Sequence, residues 1–110
     1  MKILNKHTSR GFVVRTISQQ SMSMINICDE ELLDKTIKSK NLMMHISKEY
    51  FGCELMSEQD TIDLVRKCSM ANLVGKRIIE KVLLEKLASS NAVKTIDKVP
   101  FLMIYRFARA

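Results

Sequence analysis

Near the N-terminus of this sequence apolar residues recur at every second position, and further along they recur at helical spacing. Residues 22–28, MSMINIC, alternate apolar and polar side chains with one slip near Ile25, the pattern of a β-strand carrying a bulge. Residues 11–18 are rich in β-branched and aromatic side chains, and SQQS after them supplies a polar turn. The two segments therefore read as an N-terminal hairpin. A period of two over adjacent segments commits the chain to a sheet, on which the helical segments must pack.

Leu32, Leu33 and Ile37 predict a short helix over 30–38, ended by the cations of KSKN. Residues 42–47, LMMHIS, are short, apolar and bounded by polar turns, which predicts a third strand, and Gly52 suits a turn. Ser57 stands as an N-cap with Glu58 and Asp60 in the first turn, and Ile62, Val65 and Cys68 then repeat at helical spacing to about Met70. In ANLVG, Gly75 either breaks that helix or permits close packing. Residues 76–88 carry the strongest helical pattern, with Ile79, Val82, Leu83 and Leu87 as the buried stripe. Residues 92–96 alternate again, DKVP turns, and 101–107 form a near-continuous apolar run with Pro100 at its start. The expected order is β-β-α-β-α-α-β-β. It describes an α+β domain: a small, mostly antiparallel sheet with helices packed on one side.

A chain of 110 residues is long enough to bury one core and fold without staples. Residues 1–10 read as a basic arm and 11–110 as a single domain. Cys28, Cys53 and Cys68 are an odd set without CxxC spacing, as expected of reduced thiols in a cytoplasmic protein. No apolar run approaches a membrane span. Charge is unevenly placed. Residues 1–20 sum to +4, 21–60 to −4 and 61–110 to +6, giving a net charge of +6. If the two ends meet in space they form a cationic surface that attracts polyanions, RNA foremost.

CDEELLDKT, residues 28–36, sets a thiol before three carboxylates. Capping explains all four residues. Asp29 can accept from the free N–H groups of the following helix, Glu30 and Glu31 lie at the positive end of its dipole, and Cys28 is a small buried hydrophobe. A catalytic thiolate fits worse, because the carboxylates raise its pKa and no spacing links it to His7 or His45. His45, flanked by methionines, reads as a partly buried packing residue. Cysteine separations of 25 and 15 residues match no metal signature, and one glycine at Gly75 makes no phosphate cradle. No cofactor and no metal are expected. On the last strand Tyr105 and Phe107 interleave with Arg106 and Arg109, one way to combine stacking with charge for single-stranded RNA.

CDEELLDKT, EYFGCELMSEQD (49–60), ANLVGKR (71–77) and the isolated Val99 and Pro100 occur in an order and spacing that resemble the small archaeal family catalogued as domain of unknown function 424. The resemblance runs from about Ile25 to Pro100 and marks Cys28, Asp29, Glu30, Glu31, Asn72, Gly75 and Pro100 as the family's motif residues. It implies a stand-alone cytoplasmic domain and brings no established activity. The family pattern places a histidine directly after Val-Pro; here Phe101 stands in that position, which removes a candidate ligand.

Two functions fit these residues. The first is a non-enzymatic RNA- or ribosome-associated binding protein of the archaeal translation apparatus. Its partners would be ribosomal RNA and neighbouring ribosomal proteins, with Lys2, Lys6, Arg10, Arg15, Lys76, Arg77, Arg106 and Arg109 on phosphates. The alternative is a small enzyme or ligand-binding protein with a site around Cys28, Asp29, Glu30 and Asn72. A homo-oligomer paired through the apolar FLMIYRF strand is compatible with either.

Overall fold

The structure, a computed structural model, describes residues 11–106. Strands β1 (Phe12–Gln19) and β2 (Met22–Asp29) form the expected hairpin, in continuous antiparallel register from Phe12–Asp29 to Gln19–Met22. Gln20 and Ser21 join them with φ of 49° and 63°, the left-handed pair that lets a two-residue turn follow strand twist. The strand has no bulge. Its pattern slips because residues 25–29 are all buried: Ile25 and Ile27 face one layer, Asn26 and Cys28 another.

The remaining strands are β3 (Thr36–Ser39), β4 (Leu42–His45), β5 (Glu54–Met56), β6 (Met70–Val74), β7 (Lys94–Ile96) and β8 (Val99–Tyr105). The helices are α1 (Lys48–Phe51), α2 (Glu58–Lys67) and α3 (Lys76–Leu84). The main sheet has the order β5-β1-β2-β6-β8-β7, antiparallel except for the central β2–β6 pair. This is the α+β class with a mostly antiparallel sheet, but element order and strand pairing differ from the expected ones in several places.

First, 30–38 is not a helix. A single 3-10 turn (Glu30–Leu32) precedes β3. Asp34 takes a φ of 71° and donates its N–H to the Ile46 carbonyl at 2.6 Å, and β-branched Ile37 is buried as a strand residue. Second, β4 pairs with β3 in a separate two-stranded hairpin and not in the main sheet. Third, ANLVG is no helix terminus: β6 is the sheet's inner parallel strand. Ala71 and Leu73 are buried and Met70 and Asn72 only half-buried, but five residues that include a small alanine make too short a run for the alternation to stand out. The three-residue edge strand β5 and the single turn of α1 were also unmarked by periodicity.

Both longer helices lie on one face, over Phe12, Val14, Ile25, Ile27, Leu73 and Leu102. Helix α2 buries Ile62 and Val65 there, and α3 buries Ile78, Ile79 and Val82; each such side chain contributes about 1.5–3 kcal/mol. The Ser57 hydroxyl accepts from the Asp60 N–H at 3.2 Å, the expected cap. The opposite face is covered only in part. The β3–β4 hairpin and α1 place Ile37, Ile46 and Phe51 over Val13, Cys28 and Val74, and the rest stays open. Strand β7 pairs with β8 only at Val99, Pro100 and Phe101, so residues 102–105 have no outer partner strand among the described residues. Among those residues no helix is long and apolar enough to cross a membrane.

Candidate functional site

The acidic motif folds into a hydrogen-bonded polar junction between β2 and α3, beside a small cavity of about 210 Å³. Asp29 is 2% exposed. It caps a helix, but not the segment that follows it: Oδ2 accepts from the Arg77 N–H and Oδ1 from the Ile78 N–H, both at 2.9 Å. These are two of the donors that the start of α3 leaves without intrahelical partners. Gly75, at the N-cap position, has no side chain to serve them. Its φ is 125°, and a Cβ there would occupy the space of the Asp29 carboxyl group. The glycine is thus what lets a carboxylate from another strand reach the helix. The Gly75 N–H donates to the Pro100 carbonyl at 3.0 Å.

Around this cap the other motif residues close the junction. Arg77 makes a two-pronged pair with Glu31, Nε–Oε2 2.9 Å and Nη2–Oε1 2.7 Å, donates to the Gly11 carbonyl at 2.9 Å, and lies 4.8 Å over the Phe12 ring. Glu30 Oε1 accepts from the Gly11 N–H at 3.1 Å. Burial raises the pKa of Asp29 above 3.8, although the two N–H donors and Arg77 pull it down. Cys28, fully buried, is pushed up to about 12 by burial and then by Asp29 and Glu31. An enclosed neutral thiol is no nucleophile. Cys28, Asp29, Glu30, Glu31, Gly75 and Pro100 therefore converge, as the chain's internal fastening.

Asn72 lies elsewhere, in the middle of the partly open face. Cross-strand register sets Arg15, Asn26, Asn72 and Met103 in one row over β1, β2, β6 and β8. Asn26 is 1% exposed; its Nδ2 donates to the Tyr50 carbonyl at 2.9 Å. Asn72 Nδ2 donates to Asn26 Oδ1 at 2.8 Å and to the Tyr50 hydroxyl at 3.3 Å. Asn72 Oδ1 is enclosed and has no hydrogen-bond partner among the described residues; left unmet, such a group costs about 1–3 kcal/mol. Beside it opens a cleft of about 540 Å³, lined among others by Tyr50, Phe51, Phe101, Met103, His45 and Lys94. His45 is exposed and not a packing residue: Nδ1 lies 2.9 Å from the Thr36 hydroxyl and Nε2 3.6 Å from Asp34. In the next row Met24, Met70 and Tyr105 continue the same face. Tyr50 and Tyr105 are 45% and 56% exposed on it.

Four of the eight cations expected to bind phosphate are described. Arg77 is held in the closed junction. Arg106 stands at the other end of the sheet, where Nη1 donates to the Val65 and Cys68 carbonyls at 2.6 and 3.1 Å and so satisfies the end of α2. About 13 Å of β8 separates these two ends, so the structure does not bring Arg77 and Arg106 together. Arg15 lies on the open face and donates to the Glu49 carbonyl; Lys76 is exposed at the start of α3. Lys2, Lys6, Arg10 and Arg109, with His7 and Phe107, lie outside the described residues, as does the 1–10 arm. Among the described residues no three His, Cys, Asp or Glu side chains are placed to hold a metal ion. Sequence reasoning missed Asn26 and Tyr50; the polar residue inside an otherwise apolar strand was the signal available.

The family described as "Protein of unknown function (DUF424)" matches residues 16–107, and the chain belongs to it. In fold it is similar to the crystal structure of an uncharacterized conserved protein from Methanopyrus kandleri, with a TM-score of 0.75 and 19% sequence identity over 90% of this chain and 94% of that one. No curated protein matches the sequence.

Proposed function

We propose that this family member is a non-enzymatic RNA-binding protein of the archaeal translation apparatus, cytoplasmic and ribosome-associated, that holds single-stranded RNA on the open face of its sheet. One observation carries this: two tyrosines, Tyr50 on α1 and Tyr105 on β8, stand about half exposed on the sheet face that the β3–β4 hairpin and α1 cover only in part among the described residues. Each base has a π-face, and stacking on an aromatic ring contributes about 1–3 kcal/mol per base without demanding a sequence. Exposed aromatics on a sheet are a general way to hold splayed bases. The net charge of +6 supplies the long-range attraction. Arg15 borders the face, Lys76 is exposed, and Lys2, Lys6, Arg10 and Arg109 add cations from the chain ends. Arg77 and Arg106 keep their internal bonds and contribute charge at a distance.

The test is a fluorescence-anisotropy titration of the full chain with a single-stranded oligoribonucleotide at several salt concentrations. If about six phosphates are neutralised, log K falls with a slope of about −4 in log salt, a loss of roughly several hundred-fold between about 50 and 200 mM. Binding that ignores salt, or no binding at low salt, overturns the proposal.

A further inference from the structure

We infer that the cleft beside Asn72 receives one unstacked base of that RNA, and that Asn72 Oδ1 accepts a hydrogen bond from an N–H on the base edge. The inference rests on the RNA proposal and gives it an address. It starts from the one enclosed polar side-chain atom that lacks a partner among the described residues, Asn72 Oδ1; such atoms are few in folded proteins and call for an explanation. The amide cannot turn to relieve it. Both Nδ2 hydrogens are committed, to Asn26 Oδ1 and to the Tyr50 hydroxyl, and Asn26 is itself fixed by the Tyr50 carbonyl. What the site lacks is therefore a donor.

The same bonds define a second half of the site. The Tyr50 oxygen accepts from Asn72, which leaves its own hydrogen to donate. An acceptor beside a donor is complementary to the adjacent N–H and lone pair found along the edge of adenine, cytosine, guanine or uracil. The walls suit a flat apolar ring: Phe51, Phe101 and Met103 line the cleft. Its volume of about 540 Å³ lies within the range of small-molecule sites. Lys94, exposed on the cleft's border, offers a cation to the attached phosphate. On the side of β6 away from Asn26, the cross-strand neighbour of Asn72 is Met103. Met103 is 49% exposed, and its unbranched thioether can swing aside to admit a ring. A backbone peptide N–H would also serve the acceptor, but it brings no ring for these walls.

The experiment varies the ligand first and the protein second. Full-length protein is titrated with AMP and with N6,N6-dimethyl-AMP, and with UMP and N3-methyl-UMP, following the side-chain amide NMR signals of Asn72. Each methylated nucleotide keeps the ring and the phosphate and loses the N–H. The expected result is a shift of the Asn72 amide by both parents and affinity at least tenfold weaker for both methylated forms. An Asn72→Leu variant with an intact backbone spectrum should bind parent and methylated forms alike. Equal binding of parent and methylated nucleotides by the unmodified protein overturns the base-edge assignment. So does a peptide that shifts the Asn72 amide where no nucleotide does. In either case oligoribonucleotide binding with the expected salt slope leaves the RNA proposal standing, whereas its absence removes both.

Discussion

Two polar clusters interrupt the apolar interior, and they are built to opposite rules. At the β2–α3 junction each carboxylate oxygen of Asp29 meets a backbone N–H, and Glu31 and Arg77 satisfy one another in a two-pronged pair. On the open face Asn26, Asn72 and Tyr50 form a network of similar size in which one carbonyl oxygen is left over. A complete network stabilises and has nothing further to bind. An incomplete one costs stability and retains a valence for a ligand. The difference separates residues that hold the protein together from those proposed to meet a ligand; the acidic motif is structural, as its capping pattern led one to expect, but the helix it caps is α3.

The comparison is broken most directly at Gly75. Gly75→Ala forces a side chain into a left-handed conformation, worth about 1–3 kcal/mol, and drives the Asp29 carboxylate off the helix, worth about 0.5–2 kcal/mol more. Urea unfolding should show a loss of roughly 3 kcal/mol. A loss below about 1 kcal/mol would mean that the close approach of Asp29 is not structural.

Next in size is a matched pair of substitutions. Asp29→Ala leaves two buried N–H groups without an acceptor and should cost about 2 kcal/mol. Asn72→Ala frees Asn26 Oδ1 but abolishes the partnerless Oδ1, so the two changes offset and the cost should be under about 1 kcal/mol. If Asn72→Ala proves the more damaging of the two in the same unfolding assay, the division between fastening and site fails.

The sequence told more about the layer of helices than about either cluster. Ile62, Val65, Ile79 and Val82 advertise one buried stripe each, and the amphipathic period locates α2 and α3 almost unaided. The hairpin of β1 and β2 and the turn before β8 are equally plain, since Gln20–Ser21 and Asp97–Lys98 are polar pairs between apolar runs. What escapes is whatever depends on partners distant in the chain. Asp29 was recognisable as a capping residue, but the helix it caps starts 47 residues later. The only clue was that α3 opens on a glycine with no capping side chain of its own. β6 is only five residues long, too short for its alternation of buried and half-buried positions to be read. Asn26 and Asn72 look like ordinary strand polar residues until parallel register sets them side by side.

On the open face a smaller effect is expected, and in binding rather than folding. Tyr105→Ala removes a ring that is 56% exposed, so thermal unfolding should move little. Oligoribonucleotide affinity should fall by about 1–3 kcal/mol if a base stacks there. A shift in stability without one in affinity would make Tyr105 a packing residue and leave Tyr50 as the face's sole platform.

The last test reads the β2–α3 cluster by proton linkage. Cys28 has a folded pKa of about 12 against 9.0 for a free thiol. The fold therefore favours the protonated form: its contribution is complete below pH 9.0 and is lost as pH rises from 9.0 toward about 12. Cys28→Ala lacks this term, so the stability difference between the native chain and that variant should be constant from pH 7 to 8.5 and shrink steadily above pH 9. Reactivity should follow the same partition. Cys28 and Cys68 are buried and Cys53 is exposed, so an aromatic disulfide reagent at pH 8 should modify one thiol quickly and the other two only after urea unfolds the protein. Rapid modification of Cys28 in the native state would mean that the junction opens on that timescale, and the contrast between a shut cluster and an open one would not hold.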